Sequence, residues 1–124
     1  MKIIEAVNAI DALKPNGYTQ AEKIRWLSTL DGFLHQEIVV PHEGADEHPF
    51  SGYDEDTPPE TVLLAQEPYG RELYLKYLEA QIDYYNGETA RYNNSMMMYQ
   101  AAYTAFARWY NRTQLPRSQK RKFW

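Results

Sequence analysis

Between residues 75 and 110 the chain carries a continuous seam of apolar and aromatic side chains: Leu75, Leu78, Ile82, Tyr85, Thr89, Tyr92, Met96, Tyr99, Tyr103, Phe106 and Tyr110. Steps of three and four alternate throughout, the repeat of a helix face that packs on other helices, and Thr89 is its weakest member. Asn86-Gly87 has the character of a helix end, because glycine accepts the left-handed backbone that terminates helices. The seam nevertheless resumes in phase beyond it. That resumption predicts one long bent helix, about 54 Å if continuous, in preference to two helices joined at Asn86-Gly87.

Upstream, Ile3, Ile4, Val7, Ile10 and Leu13 share a helical spacing that stops at the breakers Lys14-Pro15-Asn16-Gly17. Thr19-Gln20-Ala21-Glu22 fits a capping box and opens a second helix. Its apolar face is Ile24, Leu27, Leu30, Leu34 and Ile38, widened by Trp26 and Phe33, and it is expected to end near Gln36. Ile38-Val39-Val40 and Thr61-Val62-Leu63-Leu64 are short β-branched runs flanking a polar loop, residues 41–59, and predict a small two-stranded ribbon lying on the helices. Pro68 suits the start of the helix that carries the seam. After residue 114 periodicity vanishes into a basic tail ending in Phe123-Trp124. The expected architecture is mainly α: a small bundle of three or four helices around a long C-terminal helix, with a short β-ribbon and acidic loop inserted. Residues 1–114 form a single helical domain and residues 115–124 a basic aromatic tail. Too little Leu and Ile lies on the seam for a free-standing coiled coil, and the amphipathic second helix needs a partner, so the seam is read as the centre of the bundle.

Composition sharpens this picture in two respects. Eleven tyrosines and a 15% aromatic content make the core and any interface rich in large rings with a polar tip. The net charge of −4 is also segregated. Residues 26–70 hold ten acidic side chains and no Lys or Arg, whereas residues 89–124 hold seven basic side chains and no acid. Such a chain has two readings: its two charged segments lie together within one copy, or they attract neighbouring copies head to tail into a ring or filament. No cysteine is present, which removes disulfides, thiolate metal sites and a Cys nucleophile. The sequence has no run of 18 apolar residues and no leader-like start, so membrane spanning and secretion are not expected.

Candidate chemistry is sparse. His35, His42 and His48 lie near Glu43, Asp46, Glu47, Asp54, Glu55 and Asp56, but in no helical ligand spacing, and Pro59 stands where a calcium loop needs its turn glycine. Glu79 and Asp83, four residues apart, suit a solvated helix face better than an acid/base pair. Neither a phosphate loop nor a nucleophile elbow is present, so no enzyme activity, metal or cofactor is expected. Met96-Met97-Met98 is read chiefly as core packing. Arg117, Lys120, Arg121, Lys122, Phe123 and Trp124 could contact phosphates and stack on bases, the alternative reading of a nucleic-acid-binding accessory protein. A tail that orders in a partner's groove accounts better for the terminal aromatic pair.

Residues 77–88 (YLEAQIDYYNGE), 90–96 (ARYNNSM) and 105–113 (AFARWYNRT), with 22–27 (EKIRWL), resemble small prophage proteins of Gram-positive bacteria, which in turn resemble head-tail connector (adaptor) proteins of tailed phages. That resemblance implies a structural virion protein, present in the host cytoplasm during assembly. It would form a homo-oligomeric ring at the portal vertex, with its C-terminal segment on the portal protein and its other face toward a tail-side head-completion protein. No membrane and no specific nucleic acid are implied as partners. Position alone then places Arg117, Lys120, Arg121, Lys122, Phe123 and Trp124 at the portal, and the acidic loop with Glu43, Asp46, Glu47, Asp54, Glu55 and Asp56 between subunits or toward the lumen, where negative charge repels DNA.

Overall fold

A computed structural model of the 124-residue chain describes residues 1–42 and 49–114. Four helices follow in order: α1 (Ile3–Leu13), α2 (Gln20–Leu34), α3 (Tyr69–Tyr85) and α4 (Thr89–Thr113), and α2 runs on through a π-helical turn at His35–Val39. The mainly helical expectation is met. Thr19 caps α2, its hydroxyl accepting from the Glu22 amide at 3.1 Å. At the start of α1 the Lys2 amide donates to the Glu5 carboxylate at 2.7 Å.

The long seam helix is corrected. The chain reverses at Asn86 and Gly87, where Gly87 has φ +74°, and α3 and α4 form a helical hairpin. Three turn residues between Tyr85 and Thr89 fill one four-residue step of the seam, so the pattern keeps its count while the chain turns back. Both halves of the seam then face each other, Leu75, Leu78 and Ile82 on one side and Phe106 and Tyr110 on the other, all buried. The reversal is fastened from outside: the Tyr18 hydroxyl donates to Asn86 Oδ1 at 2.7 Å, and Trp26 stacks on Tyr85 with ring centroids 5.5 Å apart.

The predicted β-ribbon is also corrected, since no strand forms among the described residues. Ile38 and Val39 lie in the π-turn, both buried, where one extra residue per turn brings Val39 under the apolar face that Leu34 and Ile38 continue. Burial there outweighs β-propensity. The second run is used by α1. The Thr61 and Pro59 carbonyls accept from the Ile3 and Ile4 amides, each at 3.0 Å, and so satisfy donors that a helix start leaves free. The Leu63 amide donates to the Met1 carbonyl at 2.8 Å, leaving a single antiparallel bridge between Lys2 and Val62.

One carboxylate of α2 gathers residues 53, 64 and 74 around it. Asp31 sits on the apolar face of α2, wholly buried. Its Oδ2 accepts from the Tyr53 hydroxyl at 2.6 Å and the Leu64 amide at 3.0 Å, and its Oδ1 from the Tyr74 hydroxyl at 2.6 Å. Tyr74 in turn accepts from the Ala65 amide at 2.8 Å. Close packing completes the joint: a side chain at Gly70 would place its Cβ 2.4 Å from the Ala65 carbonyl oxygen. Burial raises the Asp31 carboxyl above the ordinary aspartate value, against the lowering effect of the Tyr53, Tyr74 and Leu64 hydrogen bonds.

Two outcomes follow for this joint. Asp31→Ala leaves two hydroxyls and an amide without their acceptor and lowers unfolding stability by roughly 3–5 kcal/mol in denaturant titrations. A raised native pKa means that the folded protein holds the proton longer than the unfolded chain. Asp31 therefore contributes most below about pH 4, and its contribution declines as pH rises from there through the raised value. The stability difference between the native sequence and Asp31→Asn should shrink across that interval; a difference that grows with pH would contradict the account.

Candidate assembly interface

Helix α4 runs for 25 residues, yet only Ser95, Phe106 and Tyr110 on it are buried. It packs on α3, and its C-terminal half is also tied to the π-turn. There His42 Nδ1–H donates to the Ile38 carbonyl at 2.5 Å, and the His42 ring meets Tyr110 edge-on at 4.9 Å. The N-terminal half has a different tie. Ser95 donates its hydroxyl to the buried Asp83 carboxylate, whose other oxygen lies 2.5 Å from the Lys14 ammonium in an ion pair. One buried carboxylate thus joins the loop after α1 to α3 and α4.

The outward face of α4 has an unusual composition for a helix exposed along its length. Met97 is 69% exposed and Met98 43%, and Ala101 and Ala105 follow at helical spacing, then Arg108 and Arg112. The assignment of Met97 and Met98 to core packing is corrected; only Met96 turns partly inward. A groove of about 480 Å³ runs beside this face, between Pro68, Tyr69, Glu72 and Lys76 on one wall and Met98, Ala101, Ala102 and Ala105 on the other. The helix has three arginines and no acid. Arg91 lies 3.5 Å from Glu88, whereas Arg108 and Arg112 have no ion-pair partner among the described residues.

A second cleft, about 540 Å³, opens on the other flank of α4. Phe33 of α2 and Glu37 of the π-turn face Tyr99, Gln100, Tyr103 and Thr104 of α4 across it. Tyr99 and Tyr103 stand with ring centroids 6.1 Å apart, and Tyr77 backs Tyr99 at 5.2 Å. Burial raises both phenols above the usual tyrosine value, and the charge of Glu37 adds to it. No sequence motif marks this cleft, because its residues come from three elements; the signal present in the sequence was the aromatic Phe33 on the widened edge of α2.

The sequence-derived residues fall in two groups. Asp54, Glu55 and Asp56 lie in an exposed turn that closes on itself: the Asp56 amide donates to Asp54 Oδ1 at 2.8 Å, and the Asp54 amide to Thr57 Oγ1 at 2.8 Å. Glu43, Asp46, Glu47 and His48, and the tail residues Arg117, Lys120, Arg121, Lys122, Phe123 and Trp124, lie outside the described residues. Asp83, read as part of a solvated face, is instead buried. Among the described residues no three His, Cys, Asp or Glu side chains are grouped to hold a metal ion, and no helix is long and apolar enough to cross a membrane. His35 lies against Phe50 with ring centroids 6.0 Å apart.

No protein-family model, curated protein or solved structure matches the chain. The resemblance to prophage proteins therefore rests on the residues quoted for it.

Because Ser95 is the one buried residue in the first half of α4, Ser95→Ala should loosen that half alone. Amide exchange across residues 89–98 is expected to quicken by about tenfold, with α1 and α2 unchanged. Uniform acceleration throughout the chain would contradict this division of the helix.

Proposed function

We propose that the chain is a structural assembly component of tailed-phage particles, a head-tail connector that forms a ring at the portal vertex. It docks on the portal protein through the C-terminal end of α4 and residues 115–124, and turns its other face to the tail-side head-completion protein. It belongs to the virion, and to the host cytoplasm during assembly. The observation that carries this reading is the exposed face of α4: methionine and alanine along a 25-residue helix, ending in Arg108 and Arg112, which have no ion-pair partner among the described residues. A helix with so little burial gains most from packing against other chains, and methionine side chains adapt to such contacts. The split of charge between residues 26–70 and 89–124 supports contacts between unlike surfaces. In the ring, the turn holding Asp54, Glu55 and Asp56 faces the lumen, where its charge keeps DNA from adhering.

Native mass spectrometry with a tailed-phage portal protein from the same genome, if its neighbourhood encodes one, tests the reading. A stoichiometric complex that is lost on deleting residues 116–124 is the expected result. Failure to bind portal, together with salt-dependent DNA binding lost on the same deletion, would replace it with the nucleic-acid-binding alternative.

A further inference from the structure

The two flanks of α4 are chemically complementary, and among the described residues no ion pair brings them together. On one side the cleft offers the rings of Phe33, Tyr99 and Tyr103 beside the Glu37 carboxylate, with the Gln100 amide and Thr104 hydroxyl at its edge. Aromatic faces attract cations, and a carboxylate among them adds a charge-assisted acceptor. Such a lining has the chemistry to receive a guanidinium or ammonium group, and a planar guanidinium can also stack on aromatic rings. Glu37 has no ion-pair partner among the described residues. On the neighbouring face of the same helix, Arg108 and Arg112 are exposed and likewise have none there.

We propose that the cleft formed by Phe33, Glu37, Tyr99 and Tyr103 receives an arginine, Arg108 or Arg112, from α4 of a second copy of this chain. Charge selects the second copy as occupant and disfavours one way of pairing it. Pairing two α4 helices antiparallel about Met98 and Ala101 would set Arg91 of each against Arg108 of the other, a like-charge contact that costs energy. Donor and receptor are separate patches, so the contact can repeat heterologously, each copy giving an arginine to one neighbour and receiving one from the other until the series closes. The contact deepens the connector reading and rests on it for its biological setting, since it supplies the subunit interface that a ring requires.

The test is sedimentation of the full chain over a range of concentrations, with and without portal, at about 50 mM and about 500 mM salt, where screening lengths differ roughly threefold. The native sequence should associate, more weakly at high salt. Glu37→Arg, and separately Arg108→Glu with Arg112→Glu, should each weaken association by at least about tenfold. Combining all three should restore it. Tyr103→Phe keeps the ring face and should retain association, whereas Tyr103→Ala should lose part of it. All four positions are on the surface or partly exposed, and circular dichroism checks that the variants fold. A chain that is monomeric with and without portal, or whose association is indifferent to Glu37→Arg, or not rescued by the combined reversal, overturns the proposal. Portal binding that survives such a result leaves the connector reading standing; salt-sensitive, rescued association without portal binding would retain this contact and remove the connector role.

Discussion

A buried carboxylate with three donors around it, Asp31, sets the geometry on which the rest of this fold depends. It is an expensive group to bury, and the structure compensates it by aiming two tyrosine hydroxyls and a backbone amide at its oxygens. Those donors come from three places: the irregular stretch before residue 58, the segment that caps α1, and α3. One side chain on α2 therefore fixes where α3 begins, and α3 is the platform on which α4 lies. Residues 49–68, which form no helix or strand, are tied down by side-chain acceptors in place of a sheet ladder.

The second consequence concerns α4. Its inner face is supplied with enough aromatic and polar ties to hold it on α3: Phe106 and Tyr110 near one end, and Ser95 on Asp83 near the other. Little of its remaining surface is needed for folding. Methionine, alanine and arginine on an outward face cost the monomer little and leave a surface open to association. The structural economy of the core and the proposed assembly role thus meet on one helix, with the fold holding α4 by one side and leaving the other free.

How far this was legible in the sequence varies with the physics involved. The helices α1 and α2 follow directly from apolar period and the Thr19 cap, because both signals are local. The helical hairpin was hidden by phase: a three-residue turn substitutes for one step of a three-four repeat, so periodicity cannot distinguish a reversal from a bend, and Gly87 was the truer indicator. The β-branched runs misled because Ile38 and Val39 gain more from extending the apolar face of α2, while the backbone of residues 59–63 is claimed by the start of α1. Asp31 had left a trace, an acid four residues after Leu27 on an otherwise apolar face, a position where a charge persists only with partners. Those partners, Tyr53, Leu64 and Tyr74, are distant in sequence and carry no mark of their role. The cleft between Phe33, Glu37, Tyr99 and Tyr103 depends on the hairpin being formed and was beyond reach of any pattern along the chain.

The central claim is that α4 is held from within and used from without. Hydrogen exchange on the chain free and mixed with the portal protein proposed as its partner addresses this most directly. The account predicts added protection in residues 89–113, strongest toward the arginine end and continuing into residues 115–124, with the amides around Asp31 unchanged. Protection that leaves α4 untouched and appears instead on α1, or no change anywhere on mixing, would contradict it.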